Sequence, residues 1–186
     1  MAVTEDELVA LTRDLVEVPS HEAAGERQAG DHVESWLRTE TDANVRRDNH
    51  GNVFGRRTGV DDGPTLALVG HHDVVPPAEA QVTDGGDRLT FEADDERLYG
   101  RGTADMKGGL AAAMLAFRDA DPATDLVIAS FVAEEQGGLG PQAAVAAAFA
   151  PAPAVAAEGP TRSSAPAVPH APHPPRAPRP APAAAS

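Results

Sequence analysis

The chain has no cysteine, which excludes a disulfide-stapled miniprotein and any thiolate metal or redox site. Lysine is almost as scarce, Lys107 being the only one among 15 basic residues, and these face 29 acids for a net charge of −14. Such a balance argues against nucleic acid or an anionic membrane surface as partner, because both reward clustered Lys and Arg. No apolar run approaches the roughly 18 residues of a membrane-spanning helix. The acidic stretch Met1 to Glu7 lacks the basic-then-apolar order of an export signal, so a cytoplasmic protein is expected. Acid excess with Arg over Lys suits a salt-adapted, halophilic source, where screening relieves self-repulsion. With 186 residues, 41% of them apolar, the chain has material for one core, or for one domain and a tail.

Its character breaks near Phe149. Residues 151–186 hold 11 of the 17 prolines and 12 alanines, with three Arg and one acid. The first 150 residues carry 12 basic and 28 acidic groups, net −16, whereas the last 36 are net +2. Proline at every second or third position without apolar periodicity cannot build a core, so residues 159–186 are expected to form a disordered Pro/Ala-rich tail behind an ordered domain of residues 1–158. An Ala/Pro/Arg-rich ending of inverted charge is also what a frame change in a GC-rich gene produces. That origin is preferred here to a linker.

Thr4-Glu5-Asp6-Glu7 has the pattern of a capping box, and Leu8, Leu11 and Leu15 follow at helical spacing, which predicts a helix to about Val16, before Pro19. A second amphipathic helix is predicted over 23–38, with Val33, Trp36 and Leu37 on one face. Segments 45–47 and 53–56 flank the turn-rich Asp48-Asn49-His50-Gly51-Asn52 and read as a β-hairpin, with His50 a turn residue. The apolar runs 65–70 and 126–132 suit strands buried on both faces. An Ala-rich helix over 106–117 separates them. Strand, helix and strand imply parallel pairing, hence an α/β fold whose ligands gather beyond the carboxyl ends of the strands.

Polar residues of chemical interest stand at those ends. After the first run comes Gly70-His71-His72-Asp73-Val74-Val75-Pro76. In extended chain His71 and Asp73 share a side, so the carboxylate can fix the imidazole tautomer, while His72 faces away. A lone His in such a place is more often a satisfied packing residue. Asp105 lies at the mouth of the third helix within Gly100-Arg101-Gly102-Thr103-Ala104-Asp105-Met106-Lys107-Gly108-Gly109, as a ligand or a plain helix cap. Phosphate binding is disfavoured, since the segment has neither dinucleotide-loop nor P-loop spacing. Glu134 and Glu135 end the second run, projecting to different sides, one able to bind metal and the other to hold a proton, or both merely solvated. Three metal-capable groups at one rim favour a cation site, and one imidazole with several carboxylates suits Zn, Co or Mn. Two ions about 3.5 Å apart would activate water and polarise a carbonyl.

The three blocks, Gly70-His71-x-Asp73-Val74-Val75-Pro76, the Gly100 to Gly109 segment and Glu134-Glu135-x-Gly137-Gly138, together resemble the M20 metallopeptidase family of succinyl-diaminopimelate desuccinylases, acetylornithine deacetylases and related carboxypeptidases. The likeness covers residues 4–158. It implies an α/β catalytic domain of zinc-peptidase type, with a partial mixed or parallel sheet flanked by helices, and two divalent ions. It further implies that His71 ligates one ion, Asp73 orients His71, Asp105 bridges both ions, Glu134 is the general base, Glu135 ligates the second ion and Glu158 adds an acid ligand. The implied reaction is removal of a succinyl or acetyl group from an amino acid, or cleavage of a small peptide. Members of the family run to roughly twice this length, with a lid and dimerisation domain and a late His ligand, and full-length relatives are expected to be homodimers. The chain therefore reads as an N-terminal portion, expected to be inactive by itself. His170 and His173, in Pro-rich sequence, are not expected to replace the late ligand, and His21 is given no catalytic role. A non-catalytic metal- or partner-binding module with the tail as tether is the rival.

Overall fold

The computed structural model describes residues 3–157 apart from positions 84, 86, 95, 96 and 152, so Glu158 and the expected tail at 159–186 lie outside the described residues. Helix α1 (Glu5–Val16) opens with the expected capping box: the Thr4 hydroxyl accepts the Glu7 N–H at 3.2 Å, and the Glu7 carboxylate accepts the Thr4 N–H at 3.0 Å. Helix α2 (Ala23–Glu40) runs two residues beyond its expected end and stops where the Thr41 hydroxyl donates to the Leu37 carbonyl at 2.5 Å. Strands β1 (Asn44–Arg47) and β2 (Val53–Arg57) form the expected antiparallel hairpin.

Strand β3 (Leu66–His71) is followed by a segment that apolar periodicity did not reveal, the short pairs β4 (Val82–Thr83) with β5 (Arg88–Leu89) and β6 (Phe91–Ala93) with β7 (Leu98–Gly100). Helix α3 (Gly108–Asp119) and strand β8 (Leu126–Phe131) come next, then α4 (Leu139–Ala146) and β9 (Ala154–Ala156), neither of which was expected. The main sheet has the order β1-β2-β8-β3-β9, with β3 parallel to both β8 and β9 and β2 antiparallel to β8. It is the mixed α/β sheet anticipated, and the parallel register opposes His71 to Phe131, which brings the carboxyl ends of β3 and β8 to one rim.

All six residues of β8 are buried, as a continuous apolar run requires when both faces are covered. On one face Leu126 and Ile128 join Leu11 and Leu15 of α1, Val33 and Leu37 of α2, and Leu110, Met114 and Phe117 of α3. On the other, Ala129 and Phe131 pack with Phe54, Phe149 and Ala144 of α4, the Phe54 and Phe149 rings being 5.2 Å apart. Each such large side chain contributes about 1.5–3 kcal/mol by burial. Arg57 ties the sheet to the end of α3 by donating to the carbonyls of Phe117, Arg118 and Ala120 at 2.9, 3.3 and 2.6 Å, groups that a helix terminus leaves without intrahelical partners. No helix among the described residues is long and apolar enough to cross a membrane.

Candidate metal centre

His71, the last residue of β3, is 2% exposed. Its Nδ1 lies 3.0 Å from the Asp73 carbonyl oxygen and 3.3 Å from Asp73 Oδ1. Both neighbours are acceptors, so Nδ1 carries a proton, and Nε2 is the nitrogen that faces the acidic groups. Nε2 is 3.3 Å from Asp105 Oδ1 and 3.9 Å from Glu134 Oε2. One ligand atom each from His71, Asp105 and Glu135 lies within 4.8 Å of the other two. Electron-rich atoms converging in this way require a proton or a cation among them, and the set suits a borderline divalent ion. The donor chemistry therefore fits the metal that the sequence implied.

Electrostatics agree. Burial alone would lower the His71 pKa, but the hydrogen bond and charge of Asp73, followed by the charges of Glu134 and Asp105, push it up to about 9. Burial would raise Asp73, yet contact with His71 and the Glu135 N–H holds it below the usual carboxylate range. Glu135 is raised, first by burial and then by Asp105, as expected where acids crowd together. His72 is fully buried and pushed down to about 3 by desolvation. It stays neutral on the far side of the strand, with Nδ1 2.8 Å from the Ser130 hydroxyl, as alternation predicted.

Asp105 stands elsewhere than the sequence suggested. The helix expected at 106–117 starts at Gly108, and Asp105 belongs to an irregular turn, Thr103–Lys107, with φ −135° and ψ 99°. It caps nothing: the residue preceding α3 is Lys107, which makes no side-chain cap bond. The Asp105–Met106 peptide is cis. Gly102 enters the turn at φ 87°, and a Cβ there would lie 2.6 Å from Val74 Cγ1, so only glycine fits. Lys107, buried, donates to the carbonyls of Leu15 and Val18 at 2.7 and 2.8 Å, fastening the turn to the end of α1.

Glu134 and Glu135 also depart from expectation. Both approach His71 instead of diverging, because the chain has left strand geometry at Ala133, whose φ is 48°. Asp73 Oδ2 accepts the Glu135 N–H at 3.0 Å, so a single carboxylate addresses both the imidazole and the acidic loop. Glu26 of α2, buried and unforeseen from the sequence, accepts the Gln136 side-chain N–H at 2.7 Å. The Ala-Gly-Glu run of α2 carried no signal for this contact.

Beside the centre, sharing Glu135 with it, opens a cleft of about 650 Å³ whose lining includes the apolar Val74, Val75, Pro76 and Leu139 and the polar His21, Glu22, His50 and Glu135. His21 and His50 thus border the site, which the sequence did not disclose. Glu158 lies outside the described residues.

An imidazole and several carboxylates at the carboxyl rim of a mixed sheet define an α/β protein with a His/Asp/Glu group able to hold a metal ion. The chain belongs to peptidase family M20/M25/M40, whose sequence profile matches residues 67–170, and the family is metal-dependent. It is 30% identical over 156 residues to a probable carboxypeptidase of Aspergillus terreus, an alignment covering 74% of this chain and 34% of the fungal protein. A succinyl-diaminopimelate desuccinylase of Rhodospirillum centenum is 40% identical over 114 residues, 56% of this chain and 28% of the enzyme. The fold superposes on aminopeptidase PepT of Bacillus cereus with a TM-score of 0.68 at 23% identity, covering 83% of this chain and 43% of PepT. The chain thus spans less than half the length of these relatives.

Proposed function

We propose that this chain carries the metal-binding catalytic machinery of a hydrolase that acts on linear amides, releasing a succinyl or acetyl group from an amino acid or cleaving a small peptide. The convergence of His71, Asp105 and Glu135 on one point, with Glu134 3.9 Å from the same imidazole nitrogen, carries this reading. His71, Asp105 and Glu135 would hold the metal, two ions with Asp105 between them in our reading, zinc first with cobalt or manganese as substitutes, and Glu158 would add a further acid. Divalent ions in such a site lower the pKa of water and polarise a carbonyl.

The chain's own groups supply the remainder. Asp73 fixes the His71 tautomer, leaving Nε2 free to coordinate. Glu134 takes the proton of the attacking water and returns it to the leaving nitrogen, so that an amine and not an amide anion departs. The cleft has a volume in the range for small ligands, which supports an N-acyl amino acid or short peptide as substrate. The desuccinylase relative supports the acyl-group reading and the carboxypeptidase relative the peptide reading.

Calorimetric titration of the chain with Zn²⁺ tests the centre, with His71→Ala and Asp105→Asn expected to abolish or cripple binding. No zinc binding by the unaltered protein would refute it. The chain by itself is expected to be inactive, so hydrolysis of N-succinyl-diaminopimelate, N-acetylornithine or dipeptides by the zinc-loaded chain at rates typical of enzymes, lost in Glu134→Gln, would overturn that expectation.

A further inference from the structure

We infer that Asn52 is a positioning residue for the loop that carries Glu134 and Glu135, an inference that rests on the metal-centre reading above. Asn52 follows the Asp48-Asn49-His50-Gly51 turn between β1 and β2, far from the acidic loop in sequence. Its side chain is fully buried. Oδ1 accepts the Val132 N–H at 3.1 Å, and Nδ2 donates to the Gly140 carbonyl at 3.0 Å. One amide therefore grips both ends of the seven-residue loop that runs from Ala133 to Leu139.

The chemistry of the two contacts selects asparagine. A backbone N–H at one end demands an acceptor and a carbonyl at the other demands a donor, a pair that aspartate, leucine or serine cannot present together across this distance. Asp48 in turn holds Asn52: its Oδ2 accepts from Nδ2 at 2.8 Å and its Oδ1 from the Asn52 N–H at 3.0 Å. On the loop side, a Cβ at Gly140 would stand 2.5 Å from Asn52 Oδ1 and 2.2 Å from the Val132 oxygen. Glycine there lets the loop ends close, and the Gly140 N–H reaches the Val132 carbonyl at 3.2 Å.

A loop that begins at a left-handed Ala133 (φ 48°) persists only when its surroundings hold it. Asp73 and Glu26 restrain its crown through Glu135 and Gln136. Asn52 bridges its two ends from outside the loop, alongside the backbone bonds from the Gly140 and Leu139 N–H groups to the Val132 and Ala133 carbonyls, and with them sets the direction in which both glutamates leave β8. Loosening that tie moves carboxylates that must meet His71 to within tenths of an ångström.

Zinc affinity by calorimetry, the visible spectrum of the Co²⁺-loaded protein and thermal melting are compared for the unaltered chain, Asn52→Asp, Asn52→Ser and Val45→Ala. The last removes core volume in β1 without touching the loop. Both Asn52 variants should lose roughly tenfold or more in zinc affinity and show an altered cobalt spectrum, while Val45→Ala, at a similar drop in melting temperature, keeps both. Folded Asn52 variants that bind zinc as the parent does overturn the inference. Should neither fold, Asp48→Asn, which slackens Asn52 without breaking its loop contacts, must show a smaller loss of the same sign, and unchanged affinity there overturns it equally. A parent that binds no zinc removes the metal centre itself, an outcome distinct from a parent that binds and variants that match it.

Discussion

Replacing Asp73 by Asn keeps the shape of a buried side chain while removing its charge and one of its two acceptor oxygens, so it tests what that carboxylate does to His71. The imidazole is pushed up from 6.5 to about 9 although burial opposes this, and Asp73 is the strongest opposing influence. The difference is worth about 3 kcal/mol, little reduced by solvent because His71 is 2% exposed. By linkage, a raised pKa adds stability that is fully present below pH 6.5 and is lost as pH rises through about 9. Lys107 acts with the opposite sign: burial pulls it from 10.5 to about 7, so its cost is full below pH 7 and is relieved as pH climbs towards 10.5. A bulk melting curve mixes the two. The assay is therefore the NMR titration of the His71 ring in the presence of a chelator. Its midpoint should be near 9 in the parent and lower by about 2 pH units in Asp73→Asn, as expected when an adjacent opposite charge is removed. Because the ring must lose its proton to coordinate, zinc affinity of the parent should climb with pH until about 9. An unchanged midpoint in Asp73→Asn would refute the account of the centre's electrostatics.

Phe117→Ala empties a fully buried position of α3 facing Gly55 and Ile128, and should cost about 3–5 kcal/mol in urea unfolding. Thr4→Ala breaks the capping box of α1 and should cost about 1 kcal/mol, with zinc affinity unchanged at low temperature. Gly109→Ala would set a Cβ 1.8 Å from the Ala157 carbonyl oxygen, so β9 should detach from β3, seen as faster hydrogen exchange at the Ala157 N–H, which the Val69 carbonyl accepts at 3.0 Å.

Where one physical rule acts locally, the sequence was readable. Thr4 and Glu7 form their capping box because both partners lie within one turn, and the runs at 65–70 and 126–132 became neighbouring parallel strands because only a covered strand tolerates that much apolar surface. The β1–β2 hairpin followed from its turn residues. The small strands β4 to β7 escaped because two- and three-residue pairings carry no periodicity. Helix α4 and strand β9, both Ala-rich, escaped because alanine marks neither a face nor a strand.

The identities of His71, Asp105, Glu134 and Glu135 were set by the chain itself, since the capacity to bind a cation belongs to side-chain chemistry. Their meeting was not. It depends on the parallel register of β3 with β8, on a turn at Thr103–Lys107 that frees Asp105 from the helix, and on a left-handed Ala133 that swings two neighbouring glutamates towards the same imidazole. Asn52 and Glu26 carry no motif, and their roles exist only because folding sets them against a loop some 80 and 110 residues away.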